Sequence, residues 1–225
     1  MIKAVIVDFD DTLSMNEEAC FEMENEALAL MGRPPMSREI HKSTWGQYFF
    51  DAIQVRSPGV NAEEFLKKHK IVHDQWIADG RVDTIDATRL ATMDALLEQG
   101  RKLYILTNRT HREIVHLLAP DHDLASRITT IYYHETTEFH KPDPRVFDSL
   151  LSVNGFERQE CVYVGDAPSD AVAAKKANMH FIASLEGAIR TKEDFEGLGT
   201  DVFIEHFADL PAAVAFLDKN PAVAS

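Results

Sequence analysis

The sequence predicts an α/β protein, a doubly wound parallel sheet with an inserted α-helical domain. Three observations predict it. Short β-branched apolar runs recur along the chain, amphipathic helical patterns separate them, and the stretch 15–82 holds helical patterns alone. The 225 residues, 45% of them hydrophobic, suit one large domain or a core with an insertion, and they are enough for a real core.

The first strand is IKAVIV (2–7), whose near-continuous apolar character is that of a strand buried on both faces. The insertion follows. One helical pattern carries Cys20, Met23, Ala27 and Leu30 and ends at Gly32, a second follows Ser37, and a third opens at Asn61 with Glu64 as its capping partner. Trp45, Phe49 and Phe50 are expected in its core. His69 and His73 stand one helical turn apart, but Lys70 occupies the place of a zinc peptidase's glutamate and no third ligand is evident, so they are expected on a helix surface. The expected division is a core of 1–14 and 83–225 and a helical domain of 15–82.

Alternation then resumes. A helix from Asp86 to Gln99, with Leu90, Met93, Leu96 and Leu97 as its apolar positions, stops at Gly100. KLYILT (102–107) is the second strand, and Thr110 with Glu113 forms a capping box ahead of Ile114, Val115, Leu117 and Leu118. RITTIYY (127–133) is the third strand; Asp143 and Pro144 start a helix that Gly155 closes. ECVYVG (160–165), MHFIAS (179–184) and DVFI (201–204) complete the sheet, and the terminal NPAVAS is expected to fray.

Charge excludes some partners. With 23 basic and 37 acidic side chains the net charge is −14, which repels nucleic acid. An anionic substrate would have to meet local positive charge from a metal ion, a lysine or a helix N-terminus. No apolar run approaches a membrane span, and Asp8 interrupts any signal-like start, so a cytoplasmic protein without membrane partners is expected. Cys20 and Cys161 are expected as reduced thiols.

In an open parallel sheet, ligands bind beyond the carboxyl ends of the strands. The polar residues there are Asp8 and Asp10 in DFDDTL, Thr107 and Asn108, Lys141 in HKPDP, and Asp166 and Asp170 in GDAPSD. Alternate residues of an extended segment face one way, so Asp8 and Asp10 can share a site, one carboxylate attacking while the other moves a proton. Asp166 adds a third negative charge, which calls for a hard divalent cation, magnesium before others. Thr107 and Lys141 offer a hydrogen bond and a fixed charge to a phosphoryl group. Alone, each motif reads more simply as a turn or helix cap; together, on successive strand ends, they favour chemistry.

DFDDTL, ILTN, HKPDP and VGDAPSD, in this order, resemble the four motifs of the haloacid dehalogenase superfamily of phosphohydrolases. The resemblance spans residues 8–170 and implies a Rossmann-like core with a small helical cap. It implies Asp8 as nucleophile forming an aspartyl phosphate, Asp10 as general acid and base, Thr107 and Lys141 as phosphoryl-binding residues, and magnesium at Asp8, the Asp10 carbonyl and Asp166, with Asp170 positioning the metal and its waters. The substrate would be a small phosphorylated metabolite. In the cap, Gly46, Gln47 and Trp45 fall where the family places a specificity loop. Many members have glycine in place of Asp11, and TIDAT before Leu90 replaces their Pro-Gly turn. A sugar phosphomutase is the alternative, with Arg33 or Arg56 holding a second phosphate; a dehalogenase would not need Asp10, and a non-catalytic phosphate-binding or signalling protein would not need every motif filled.

Overall fold

A computed structural model describes residues 1–47 and 49–220; the expected fraying at the C-terminus therefore lies, after Asn220, outside the described residues. The chain divides into two compact units, Met1–Leu13 with Ile85–Ser225, and Ser14–Thr84.

The first unit is built on a six-stranded sheet of β1 (Ala4–Val7), β2 (Lys102–Leu106), β3 (Thr130–Tyr132), β4 (Cys161–Gly165), β5 (His180–Ser184) and β6 (Val202–Ile204). Its order is β3-β2-β1-β4-β5-β6 and every pairing is parallel. Strand alternation sends one set of side chains to each face. Val5, Val7, Leu103, Ile105, Val162, Val164 and Ile182 enter one apolar core; Ala4, Ile6, Tyr104, Leu106, Cys161, Tyr163 and Phe181 enter the other. Two-sided burial explains the near-continuous apolar runs, since neither face of a central strand meets water.

Helices cover both faces. The helix Ala87–Glu98 supplies Met93 and Leu96 to the first core, together with Leu210, Val214 and Leu217 of Leu210–Lys219. On the other side stand Asp148–Asn154, with Leu150 and Leu151, and Pro168–Lys176, with Ala171, Ala173 and Ala174. Punctuation acts as expected at several places. The Asp86 side chain caps its helix by accepting from Arg89 N at 2.9 Å, and Gly155 closes Asp148–Asn154 in the left-handed conformation at φ 67°. The Thr110–Glu113 box forms, but Val115 and Leu118 are exposed, because the helix runs only over His111–Ile114 and then tightens into a 3₁₀ turn that rotates them outward.

The second unit holds helices Glu17–Leu30, Arg38–Ser43, Phe49–Arg56 and Ala62–Ala78. Met23, Ala27, Leu28, Ile53, Phe65, Val72 and Trp76 form its core. Three expectations are corrected here. Leu30 is exposed and Leu28 takes the buried position, since the stripe follows 23, 24, 27 and 28. Phe50 is exposed whereas Phe49 packs on Phe65 with ring centroids 5.7 Å apart. His69 and His73 stack at 5.9 Å in a row continued by Phe65, and His73 is buried, so the pair belongs to the packing of this unit.

The two arginines available to a phosphomutase are also occupied. Buried Arg56 pairs with Glu24 at 2.6 Å and donates to Thr44; Arg33 donates to Ser57 Oγ at 2.9 Å and to the Pro58 carbonyl at 2.6 Å. Buried Glu24 is held below the usual carboxylate range: burial raises it, but the His41 ring, 3.8 Å away, and the charge of Arg56 overcome that. No helix among the described residues is long and apolar enough to cross a membrane.

Arg56→Ala is expected to leave the Glu24 carboxylate buried without its cation and to destabilise the helical unit by about 3 kcal/mol or more. Tryptophan fluorescence reports on this unit alone, because both tryptophans, Trp45 and Trp76, lie in it. The urea midpoint of that signal should fall, and an unmoved midpoint would count against the buried pair.

Candidate active site

The sheet order sets where a site forms. Crossovers from β1 go to β2 on one side, while β4 pairs on its other side, so the order in which strands join the sheet reverses between β1 and β4. A crevice opens at the carboxyl ends of two such strands. Register aligns Val7 with Ile105 and Val164, so the residues just beyond these strands emerge at one edge of the sheet, the one after β1 a step before those after β2 and β4. Those residues are Asp8, Thr107 and Asp166. The Asp8 amide continues the ladder by donating to the Val164 carbonyl at 2.8 Å, which fixes the base of its side chain.

Asp8, Asp166 and Asp170 each bring a carboxylate oxygen to within 4.8 Å of the others, and all three residues are buried. Lys141 lies among them. Its Nζ is 2.8 Å from Asp8 Oδ1 and 2.7 Å from Asp170 Oδ1, and it sits 5.5 Å from the centre of the Tyr163 ring. The Tyr163 hydroxyl lies 3.2 Å from the Leu106 carbonyl oxygen and 3.4 Å from Asp170 Oδ1. Asp170 Oδ2 accepts from the Ala167 amide at 3.0 Å at the start of the helix Pro168–Lys176, which anchors this carboxylate by its second oxygen. Thr12 Oγ1 reaches Asp166 Oδ1 at 3.5 Å.

The electrostatics follow from burial. Desolvation pushes the Asp8 carboxyl up to about 7, against the pull of Lys141 and with the help of Asp170 and Asp10. Asp166 is pushed well above the carboxylate range by burial and by Asp170, Asp8 and Asp11. Burial alone would lower Lys141, yet Asp170 and Asp8 hold it well above its ordinary value. One ammonium thus faces three buried carboxyls, and the cluster lacks positive charge. Its donors are all oxygens, the chemistry that suits a hard divalent cation.

The remaining sequence-predicted residues divide. Asp10 stands at the rim, where Arg109 grips both of its oxygens, Nε to Oδ2 at 2.9 Å and Nη2 to Oδ1 at 2.6 Å. Thr107 is buried and accepts from the Arg109 amide at 3.2 Å. Asn108 is exposed and clasps the backbone of Lys141, accepting from its amide at 3.2 Å and donating to its carbonyl at 3.4 Å. Gly46 and Gln47 belong to the helical unit, both exposed, in the turn after Arg38–Ser43, with Gly46 at φ 80°. Asp11 is buried at φ 49°, a left-handed conformation that glycine adopts freely and aspartate tolerates.

Sequence reasoning missed three contributors. Arg109 was one polar residue further along the loop that already supplied Thr107 and Asn108. Tyr163 reads as a core aromatic, and its hydroxyl carries no signal in the sequence. Gly165 ends β4, and a Cβ there would stand 2.4 Å from Asp170 Oδ2, so only glycine lets that carboxylate lie against the strand.

The profile of the family described as haloacid dehalogenase-like hydrolase matches residues 5–184. A phosphoglycolate phosphatase of Rhodospirillum rubrum is 32% identical over 256 aligned positions, covering 99% of this chain and all of that protein. Another, from Agrobacterium fabrum, is 32% identical over 216, with 93% and 91% coverage. Among solved structures, CbbY from Rhodobacter sphaeroides in complex with phosphate shares the fold with TM-score 0.75 and 20% identity, over 93% of this chain and 96% of that one.

Two outcomes are expected of this site. Folded Asp8 keeps its proton from its ordinary value of 3.8 up to about 7, so the metal-free protein has that stabilisation at low pH and loses it as pH rises through about 7. Adding magnesium should therefore raise the melting temperature more at about pH 8 than at about pH 5.5, because protons and cation compete for the same carboxylates. Equal shifts at both pH values would contradict the charge deficit. Gly165→Ala should displace Asp170, destabilise the fold by about 1–3 kcal/mol and weaken divalent-cation binding in calorimetric titration.

Proposed function

This chain belongs to the haloacid dehalogenase-like hydrolase family, and on that premise we propose that it is a magnesium-dependent phosphatase that hydrolyses a small phosphomonoester through an aspartyl phosphate on Asp8. The observation that carries the assignment of roles is the position of Lys141 Nζ, bridging Asp8 and Asp170 in a buried, cation-deficient cluster. A buried carboxylate with an ammonium at its side is a nucleophile that can meet an anionic phosphoryl group without net repulsion.

Asp8, Asp166 and the backbone at Asp10 would hold the cation, with Asp170 fixing its surroundings. Bound there, a magnesium ion would neutralise the carboxylates and screen the phosphoryl oxygens from them. The chain's own residues do the rest. Lys141 and the Thr107 hydroxyl orient the phosphoryl group for in-line attack by Asp8, which forms the P–O bond as the ester oxygen leaves. Asp10 gives that oxygen a proton and then takes one from the water that hydrolyses the aspartyl phosphate. Asn108 holds the backbone of Lys141, which keeps the ammonium on station.

The relatives named phosphoglycolate phosphatase make phosphoglycolate the first substrate to assay. Release of inorganic phosphate should require magnesium and stop in excess chelator; undiminished turnover in chelator would overturn the cation's place. The two aspartates are separated by a leaving-group experiment. In Asp10→Ala, 4-nitrophenolate departs without much help, whereas an alkoxide needs a proton, so the first step should survive for the aryl ester and fall by about a hundredfold or more for an alkyl phosphate. Rapid-quench kinetics should show a burst of nitrophenol followed by slow hydrolysis. Equal impairment for both esters would remove Asp10 from the acid role.

A further inference from the structure

Ser184 is the last residue of β5, and its side chain is 1% exposed, with a hydroxyl that meets no hydrogen-bond partner. A buried hydroxyl without a partner costs free energy that an alanine there would not. The fold puts this one beside the carboxylate cluster. Register pairs Gly165 with Ala183, so the next pair along β4 and β5 is Asp166 and Ser184, and alternation places both side chains on the face that receives Val164 and Ile182. The two residues line one hollow, closed by the loop that carries Gly187, Ala188 and Arg190 and too narrow for a water molecule. Of the side chains lining it, Asp166 alone can accept the serine proton, because a guanidinium only donates and the others are apolar. Asp166 is also the carboxylate with the weakest hold. Lys141 grips Asp8 and Asp170, and the Ala167 amide holds Asp170 by its second oxygen. Among the described residues, the only hydrogen bond to the Asp166 carboxylate is the 3.5 Å contact of Thr12 Oγ1 with Oδ1.

We propose that Ser184 is a positioning residue for the divalent cation: its hydroxyl donates to the Asp166 carboxylate when that group holds the ion, fixing the most loosely held carboxylate of the cluster. The inference rests on the cation reading above and adds to it a residue outside the sequence motifs. Adjacent strands lie about 4.8 Å apart, so a serine opposite an aspartate comes into reach by rotation about single bonds, from one staggered position to another. The backbone stays in place meanwhile. The Leu185 amide donates to the Ile204 carbonyl at 2.9 Å, which holds the end of β5 against β6. A hydrogen bond to a charged carboxylate is stronger than one between neutral groups, and a partner behind a metal ligand sets the direction in which that ligand points. The same hydroxyl therefore lowers the stability of the fold by itself and raises its affinity for the cation. These two effects have opposite signs, which makes them separable.

The test uses the full chain, treated with chelator and dialysed, then titrated calorimetrically with magnesium chloride alone; melting temperatures are measured before the addition. Ser184→Ala removes the orphaned hydroxyl, so its melting temperature should rise by about 2 °C or more, while its magnesium dissociation constant should increase by about tenfold or more. Ser184→Thr keeps the hydroxyl and adds a methyl group in a packed place. Its melting temperature should therefore fall, while its dissociation constant stays within about threefold of the wild type. A serine with a merely structural role would move stability and affinity in the same direction in both variants. Unchanged magnesium affinity in Ser184→Ala, or a loss in Ser184→Thr equal to that in Ser184→Ala, overturns the role of Ser184 and leaves the cation reading intact. A wild type that binds no magnesium overturns both.

Discussion

The buried ammonium of Lys141, shared between Asp8 and Asp170, is the interaction on which the rest of this structure depends. Without it the ends of β1 and β4 would place carboxylates together in a dry crevice, at a cost that the apolar cores below would have to offset. Much of the local architecture serves this contact. Gly165 gives Asp170 room to lie against the strand, Ala167 holds its second oxygen, Tyr163 lies beneath the ammonium, and Asn108 ties down the backbone that carries it. The parallel sheet supplies the platform, since register brings the ends of β1, β2 and β4 to within one residue of the same level.

A site built this way is incomplete in charge by construction. Burial and the neighbouring carboxylates hold Asp8 and Asp166 above the ordinary carboxylate range, the electrostatics of an all-oxygen cluster suited to a hard cation. The overall charge of −14 sharpens the requirement. An anionic substrate is repelled at long range and must be met by short-range positive charge in the crevice, from Lys141 and a cation.

The sheet and the core motifs were legible in the sequence because two-sided burial writes itself as apolar runs and because strand ends in parallel sheets collect polar residues. Asp8, Lys141, Asp166 and Asp170 come together for that reason. Arg109 was not legible as a partner of Asp10: they are 99 positions apart, and surface arginines in loops are common. Tyr163 was hidden by its type, since a strand tyrosine reads as packing. The errors in the helical unit have a different origin. Short helices there leave stripe boundaries to tertiary packing, so Leu30 and Leu28 exchange places, Phe50 turns outward, and the stacked His69 and His73 pair is used as an aromatic. Arg33 and Arg56, the candidates for a second phosphate, are held by Ser57, the Pro58 carbonyl and Glu24, contacts that no local pattern announces.

The central claim is that Asp8 attacks phosphorus while Lys141 and a cation hold the charge. The most direct measurement is to quench the wild type in acid during turnover of phosphoglycolate, reduce the acyl phosphate with borohydride, and map the modified peptide by mass spectrometry. The account predicts modification at Asp8, formed only when magnesium is present. Modification at another residue, or its complete absence from a protein that is turning over, would contradict it.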